Sequence, residues 1–495
     1  MPNLRRHLSL VALSLAALAC ESDVPRQAVG PGGPAFTAAP DQRYSYIVVS
    51  RSASGLPQTL DAEVQAAGGS VIATIPRIGL AMVESPREDF DAVALTGVDA
   101  VLPDVPVVTS AMGSPRPLFS AAPSLSGAVV ADPPIPPGGD PLSGLQWALR
   151  AIEAPEAWAA GFTGRGVRVA VLDAGIQSTH PDLAPNLNKA LSTSFVPGQT
   201  YDSPPGAHGT QVSGIIGAAR NGIGTVGVAP NVELVAVKIL PAGGSGPLSR
   251  IAQGLVYAAD IGARVANISA GTNLPRASEV IVDDRGTPDT SDDVRVRITN
   301  DAVLGLMRAL SRATNYAHAK GVLIVAASGN LAKDFDHAQS DIGIPQELPH
   351  VVTVAPTGPL GWALDHDAEL DVHPSYANYG QSYVSLAAPG GNFDVFTRPG
   401  LPPTCTLLTF TWPCQVFDIV LTTGLGSSWV WNVGGSFAAP HAAGVAALVF
   451  EKLGPDATPA QVAAVLRITA DDIGKPGNDE FFGNGRVNAF RAVTR

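Results

Sequence analysis

Ser436 stands in GGSFAAPHAAGVAALV (Gly434 to Val449), at the head of a run of small and apolar residues that reads as a helix. A serine hydroxyl is a weak nucleophile at neutral pH. It needs a base to take its proton, a carboxylate to orient that base, and donors to receive the developing oxyanion. The chain carries all three upstream: Asp173 ends the apolar run GVRVAVLD, His208 heads HGTQVSGIIGAA, and Asn330 closes GVLIVAASGN. Together these types could perform acyl transfer. Asp173 would accept the Nδ1 hydrogen bond of His208, His208 would take the proton of Ser436, and the Asn330 side chain with the Ser436 backbone N–H would donate to the oxyanion. Taken singly, each has a plainer reading as a turn former, a cap or a surface histidine.

For these residues to meet, the elements that carry them must bring their ends to one side of a layer. Val167 to Leu172, Glu233 to Ile239, Arg264 to Ile268, Val322 to Ala327 and Val351 to Ala355 read as strands rich in Val, Ile and Ala. Helices alternate with them: from His208, over Leu248 to Ile261, near Ala302 to Ala319, after Ser436 and after Thr458-Pro459. Alternation of this kind predicts an α/β fold, a mostly parallel sheet covered on both faces, with sites at the carboxyl ends of its strands. Asp173, Ser269 and Asn330 fall at such ends. Pro440 is expected in the first turn of the final apolar helix, where a missing N–H costs little.

The four segments, in the order Asp, His, Asn, Ser, resemble the subtilisin-like serine proteases (subtilases) over roughly Leu145 to the C-terminus. That resemblance implies a three-layer fold, an endopeptidase with a triad of Asp173, His208 and Ser436, an oxyanion donor in Asn330, protein or peptide substrates, and no cofactor for catalysis. Two positions depart from the family pattern: Gly435 stands where threonine is usual, which is expected to loosen the turn, and Phe437 stands where methionine is usual. The stretch NISAG implies that Ser269, Ala270 and Gly271 form one wall of the primary side-chain pocket, with ILPAGGSG after Lys238 as the opposing edge. Two edges clamping an extended peptide read main chain more than side chain, so broad specificity is expected, with a large apolar residue as the default preference. The resemblance also implies a structural calcium at Asp182 and the loop around Asn221. After Gly271 an insertion, VIVDDRGTPDTSDDVRVRI (Val280 to Ile298), reads as a hairpin about an acidic turn; Asp283, Asp284, Asp289, Asp292 and Asp293 are oxygen donors, but their spacing is not that of an EF-hand loop.

Upstream the organisation is modular. Arg5 and Arg6 precede LSLVALSLAALA, too short to span a bilayer, which predicts a signal peptide over 1–19 and an exported protein. Cys20 follows at the position where a lipid anchor would attach at the cell envelope, the other outcome being a soluble secreted protein. A Pro/Gly-rich tether covers 20–40. Residues 41–108 read β-α-β-β-α-β, with LDAEVQAAGG and REDFDAVALTG as the helices, and resemble the ferredoxin-like inhibitory propeptides of subtilases (inhibitor I9-like), which makes the chain's own propeptide a partner. A proline-rich linker, the expected processing region, spans 109–144, and the peptidase domain 145–495.

The whole chain has 495 residues, 45% of them hydrophobic, with 52 Gly, 43 Pro and a formal charge of −12. The charge argues against nucleic acid or anionic lipid as partner. Cys405 and Cys414 are expected to pair in an oxidising compartment. A lipase or esterase is disfavoured, because Gly434-Gly435-Ser436-Phe437-Ala438 lacks the final glycine of G-x-S-x-G and the order of the triad is wrong. A catalytically degenerate surface-binding module is the remaining alternative.

Overall fold

A computed structural model describes residues 43–109, 112–119, 139–276, 278–283, 294–337, 341–394 and 404–495. The expected signal peptide, the tether, Cys20, most of the linker, and Asp284, Asp289, Asp292 and Asp293 lie outside the described residues.

The first elements are β1 (Tyr44–Ser50), α1 (Leu60–Ala66), β2 (Ser70–Ile75), β3 (Leu80–Ser85) and β4 (Val98–Pro103). They form an antiparallel sheet in the order β2-β3-β1-β4. The second helix expected here is only a 3-10 turn, Phe90–Ala92. The reason is a remote partner: the Tyr46 hydroxyl bonds to the carbonyls of Arg87 and Glu88, 2.8 and 2.7 Å away, which an α-helix would have used for its own i+4 N–H groups. Two further strands follow, β5 (Pro106–Thr109) and β6 (Met112–Phe119).

The larger layer begins with α2 (Trp147–Ala151), α3 (Ala154–Ala159), β7 (Arg168–Asp173), β8 (Thr193–Ser194), α4 (Ala207–Gly217), β9 (Glu233–Lys238), β10 (Ser245–Pro247) and α5 (Ser249–Asp260). It continues through β11 (Val265–Ile268), β12 (Ala270–Pro275), β13 (Ser278–Asp283), β14 (Val294–Ile298), α6 (Asn300–Ala319), β15 (Leu323–Ala327), β16 (Asp341–Ile344), β17 (Val351–Thr357) and β18 (Leu386–Pro389). Last come β19 (Cys405–Leu407), β20 (Phe410–Trp412), β21 (Val420–Thr423), β22 (Trp429–Val433), α7 (Gly435–Leu453), α8 (Pro459–Thr469) and α9 (Ala489–Thr494). The central sheet, β18-β17-β15-β11-β7-β9-β8, is parallel at every pairing. One face packs on α4 and α7, through Val169, Val171, Ala442 and Val445; the other packs on α5 and α6, through Ala170, Leu172, Leu255 and Leu310. Covering both faces explains why the strands read as continuous apolar runs.

The insertion forms the expected hairpin, β13 against β14. Cys405 and Cys414 are joined, at the base of the β19–β20 hairpin. Residues 43–495 form one compact unit. The β2-β3-β1-β4 sheet shares a core with α5 and α6, in which Ile47, Met82 and Leu102 meet Leu255, Leu306 and Leu310.

Candidate active site

Asp173 is the last residue of β7 and is fully buried. His208 is the second residue of α4, whose start is pressed onto the end of β7. A Cβ on Gly209 would lie 2.3 Å from the Gly175 carbonyl oxygen, so only glycine allows that approach. Both Asp173 carboxylate oxygens lie 2.9 Å from His208 Nδ1, and the backbone N–H of Ala174 donates to Oδ1 at 2.6 Å. This contact fixes Nδ1 as the protonated nitrogen in a neutral ring and leaves Nε2 as the basic atom. His208 Nε2 is buried and makes no hydrogen bond among the described residues.

Ser436 is the second residue of α7, entered through Gly434 at φ 144°, a conformation that favours glycine. Its backbone N–H is one of the donors that a helix start leaves without an intrahelical partner. The Ser436 hydroxyl donates to the Ser269 carbonyl at 3.2 Å, and the Ser269 hydroxyl donates back to the Ser436 carbonyl at 2.9 Å. Pro440 explains the second bond. It is the sixth residue of α7 and so lies beyond the first turn expected for it. The N–H that proline lacks would have bonded to the Ser436 carbonyl, and Ser269 occupies that acceptor instead.

Asn330 follows β15 through Gly329. Its Oδ1 accepts from the Gly435 N–H at 2.8 Å, and its Nδ2 is buried with no partner among the described residues. The extra glycine expected to loosen this turn is thus tied down, and the bond sets which end of the amide remains free to donate. Asp173, Ser269 and Asn330 all sit at carboxyl ends of parallel strands, on the side where His208 and Ser436 meet them.

Two supports of α4 had no signal in the sequence. Thr422 and Thr423 on β21 donate to the carbonyls of Gln211 and Thr210 at 2.7 and 2.8 Å, and the Asn432 amide donates to Gln211 at 2.9 Å. They hold the histidine-bearing turn from more than two hundred positions away in sequence.

The two expected cleft edges are present, and the chain's own β5 lies between them. Ser245, Gly246 and Pro247 pair with Val108, Val107 and Pro106, while Ala270 and Gly271 pair with Thr109 and Val108. Beyond it β6 pairs with β22, with Met112 opposite Val433.

Asp182, expected with the Asn221 loop to hold calcium, is buried. Oδ2 accepts from Trp429 Nε1 at 2.6 Å, from the Thr225 N–H at 3.1 Å and from the Thr225 hydroxyl at 3.4 Å. Asn221 turns its Oδ1 to the Ile223 N–H and its Nδ2 to the Pro181 carbonyl. Asp182 Oδ2 thus meets N–H and O–H donors, while Oδ1 is buried with no hydrogen-bond partner among the described residues, the kind of oxygen a hard cation takes as a ligand. No cluster of three or more His, Cys, Asp or Glu suited to a metal occurs among the described residues. If Asp182 Oδ1 and the Asn221 loop hold a cation, excess chelator should lower the melting temperature, and an unchanged value would remove the site. Burial pushes the Asp182 carboxyl up to about 7. The folded state then binds this proton more tightly than the unfolded chain, so the contribution to stability is full below about pH 4 and lost as pH rises through about 7. Melting curves of Asp182→Asn should lack that part of the pH dependence.

The model of the subtilase family matches residues 164–485. Subtilisin Savinase of Lederbergia lenta is 35% identical over 351 residues, 71% of this chain and 99% of that protein. Thermitase of Thermoactinomyces vulgaris is 30% identical over 353 residues, 71% of this chain and 97% of that protein. The crystal structure of the epidermin leader peptide processing serine protease of Staphylococcus aureus has the same fold, with a TM-score of 0.68 at 22% identity over 91% of this chain and 98% of that one.

Proposed function

Because the chain belongs to the subtilase family and is a serine endopeptidase acting on proteins or peptides, we propose that it cuts them through an acyl-enzyme on Ser436. The observation that carries this reading is the buried pair of Asp173 and His208, with the Nδ1 contacts at 2.9 Å and Nε2 without a partner among the described residues. His208 takes the Ser436 proton as the hydroxyl turns from the Ser269 carbonyl and attacks. Asp173 stabilises the imidazolium. The Ser436 N–H and Asn330 Nδ2 receive the oxyanion at the positive end of α7. The proton then passes to the leaving amine, and water repeats the sequence to release the acyl group.

The substrate extends between β10 and β12, held by main-chain bonds, which supports broad specificity. Residues 41–108 act as the inhibitory propeptide, whose end β5 occupies the place of substrate, and the first cut falls close after Thr109. The leader and Cys20 support export, with a lipid anchor at that cysteine. A fluorophosphonate should label the matured chain at Ser436, as located by mass spectrometry of the labelled peptide. A chain that takes up no label would be the degenerate binding module instead.

A further inference from the structure

Val296 is buried by a part of the molecule to which it does not belong. It lies on β14 directly opposite Val280 of β13, and Ile298 is the next residue on that face. Arg295 and Arg297, which alternate with them, are exposed. Ile298 and Val280 pack into the core shared by the two layers. Val296, with only 7% of its surface exposed, enters a different cluster, with Tyr46, Val64, Phe90, Leu95 and Val101. The other buried members of that cluster among the described residues all come from Tyr44–Val101. The hairpin also begins just beyond β12, one of the two strands that clamp β5, and β13 runs near β5 itself.

A hairpin that merely decorated the larger layer would turn its apolar face onto that layer alone. We propose that the β13–β14 insertion is a clasp for the chain's own residues 43–109, seated by Val296 in the core of the small sheet. The proposal rests on reading that segment as an inhibitory propeptide, and adds to it a determinant outside the cleft. While the segment is bound, Val296 is covered; once it leaves, Val296 loses its cover. An acidic residue at 296 therefore costs binding of the segment and costs the freed enzyme little. Loss of one such buried side chain corresponds to roughly a ten- to hundredfold weaker hold.

The test uses the full chain. After the cut near Thr109, Val296→Asp should release activity on dilution roughly ten to a hundred times sooner than the unaltered chain, while kcat/KM of the finished enzyme on a short chromogenic peptide stays within roughly twofold. Arg297→Ala, altering the opposite face, should change neither. Where Val296→Asp folds poorly, Val296→Ala should give the same direction with a smaller change. In a Ser436→Ala background, amide hydrogen exchange over 44–50 and 98–103 should quicken with Val296→Asp, a readout that needs no activity. Unchanged exchange there would overturn the clasp. Quickened exchange without any lag in activity in either chain would keep the clasp and refute the inhibitory reading.

Discussion

Ser436→Ala should yield a folded chain that stays uncut at the cleft and hydrolyses peptides more slowly by on the order of a millionfold, the loss seen when subtilisin loses its nucleophile. The stability cost should be small. Among the described residues the Ser436 hydroxyl makes one hydrogen bond, to the Ser269 carbonyl, and the reverse bond from Ser269 goes to the main chain and survives the substitution. A net loss of about 1 kcal/mol follows for one such bond. The uncut state follows from the pairing registers. With Thr109 on Ala270, next to the Ser269 carbonyl that accepts from the Ser436 hydroxyl, the unaltered protein should mature to a chain beginning just after Thr109 and well before Leu145. The check is the N-terminal sequence and intact mass of both proteins from a protease-deficient host. Normal processing of Ser436→Ala would mean that another protease makes the cut.

The parts of this site that were legible in the sequence are those where an element boundary and a reactive residue coincide. Asp173 at the end of an apolar strand, His208 beside two small residues and Ser436 before a helix of small residues each carry backbone information along with their chemistry. For that reason the parallel sheet and the placement of these residues at its rim could be read together. What was hidden depends on partners remote in sequence. Nothing near Phe90 announces that Tyr46 will take the carbonyls of Arg87 and Glu88 and stop a helix. Nothing near Asp182 announces Trp429, whose indole N–H gives that carboxylate a donor where a cation was expected. Pro440 was misplaced for the same reason: its cost depends on whether another group reaches the Ser436 carbonyl, and Ser269 does. The hairpin at Val280 to Ile298 was visible from its alternation, but alternation says only that one face is covered and not by what.

Asp173→Asn should separate orientation from architecture more sharply than any other single change. Asn and Asp have nearly the same shape, the site is fully buried, and an amide oxygen can still accept from the Ala174 N–H as Asp173 does at 2.6 Å. The melting temperature should therefore move by no more than a few degrees, equivalent to about 1 kcal/mol. The amide then presents its NH2 to His208 Nδ1, where the carboxylate presented acceptors at 2.9 Å on both oxygens. A donor facing Nδ1 favours the tautomer with its proton on Nε2, the atom that must accept from Ser436, and the imidazolium loses its counter-charge as well. Turnover at neutral pH should fall by about ten-thousandfold, with KM changed far less, because the lost interaction belongs to the transition state. Kinetics on a short peptide, set beside the melting curve, decide the matter. A loss below about tenfold in a protein of unchanged stability would remove Asp173 from the proposed triad, and a matching collapse of stability would make it a structural residue that happens to lie beside the histidine.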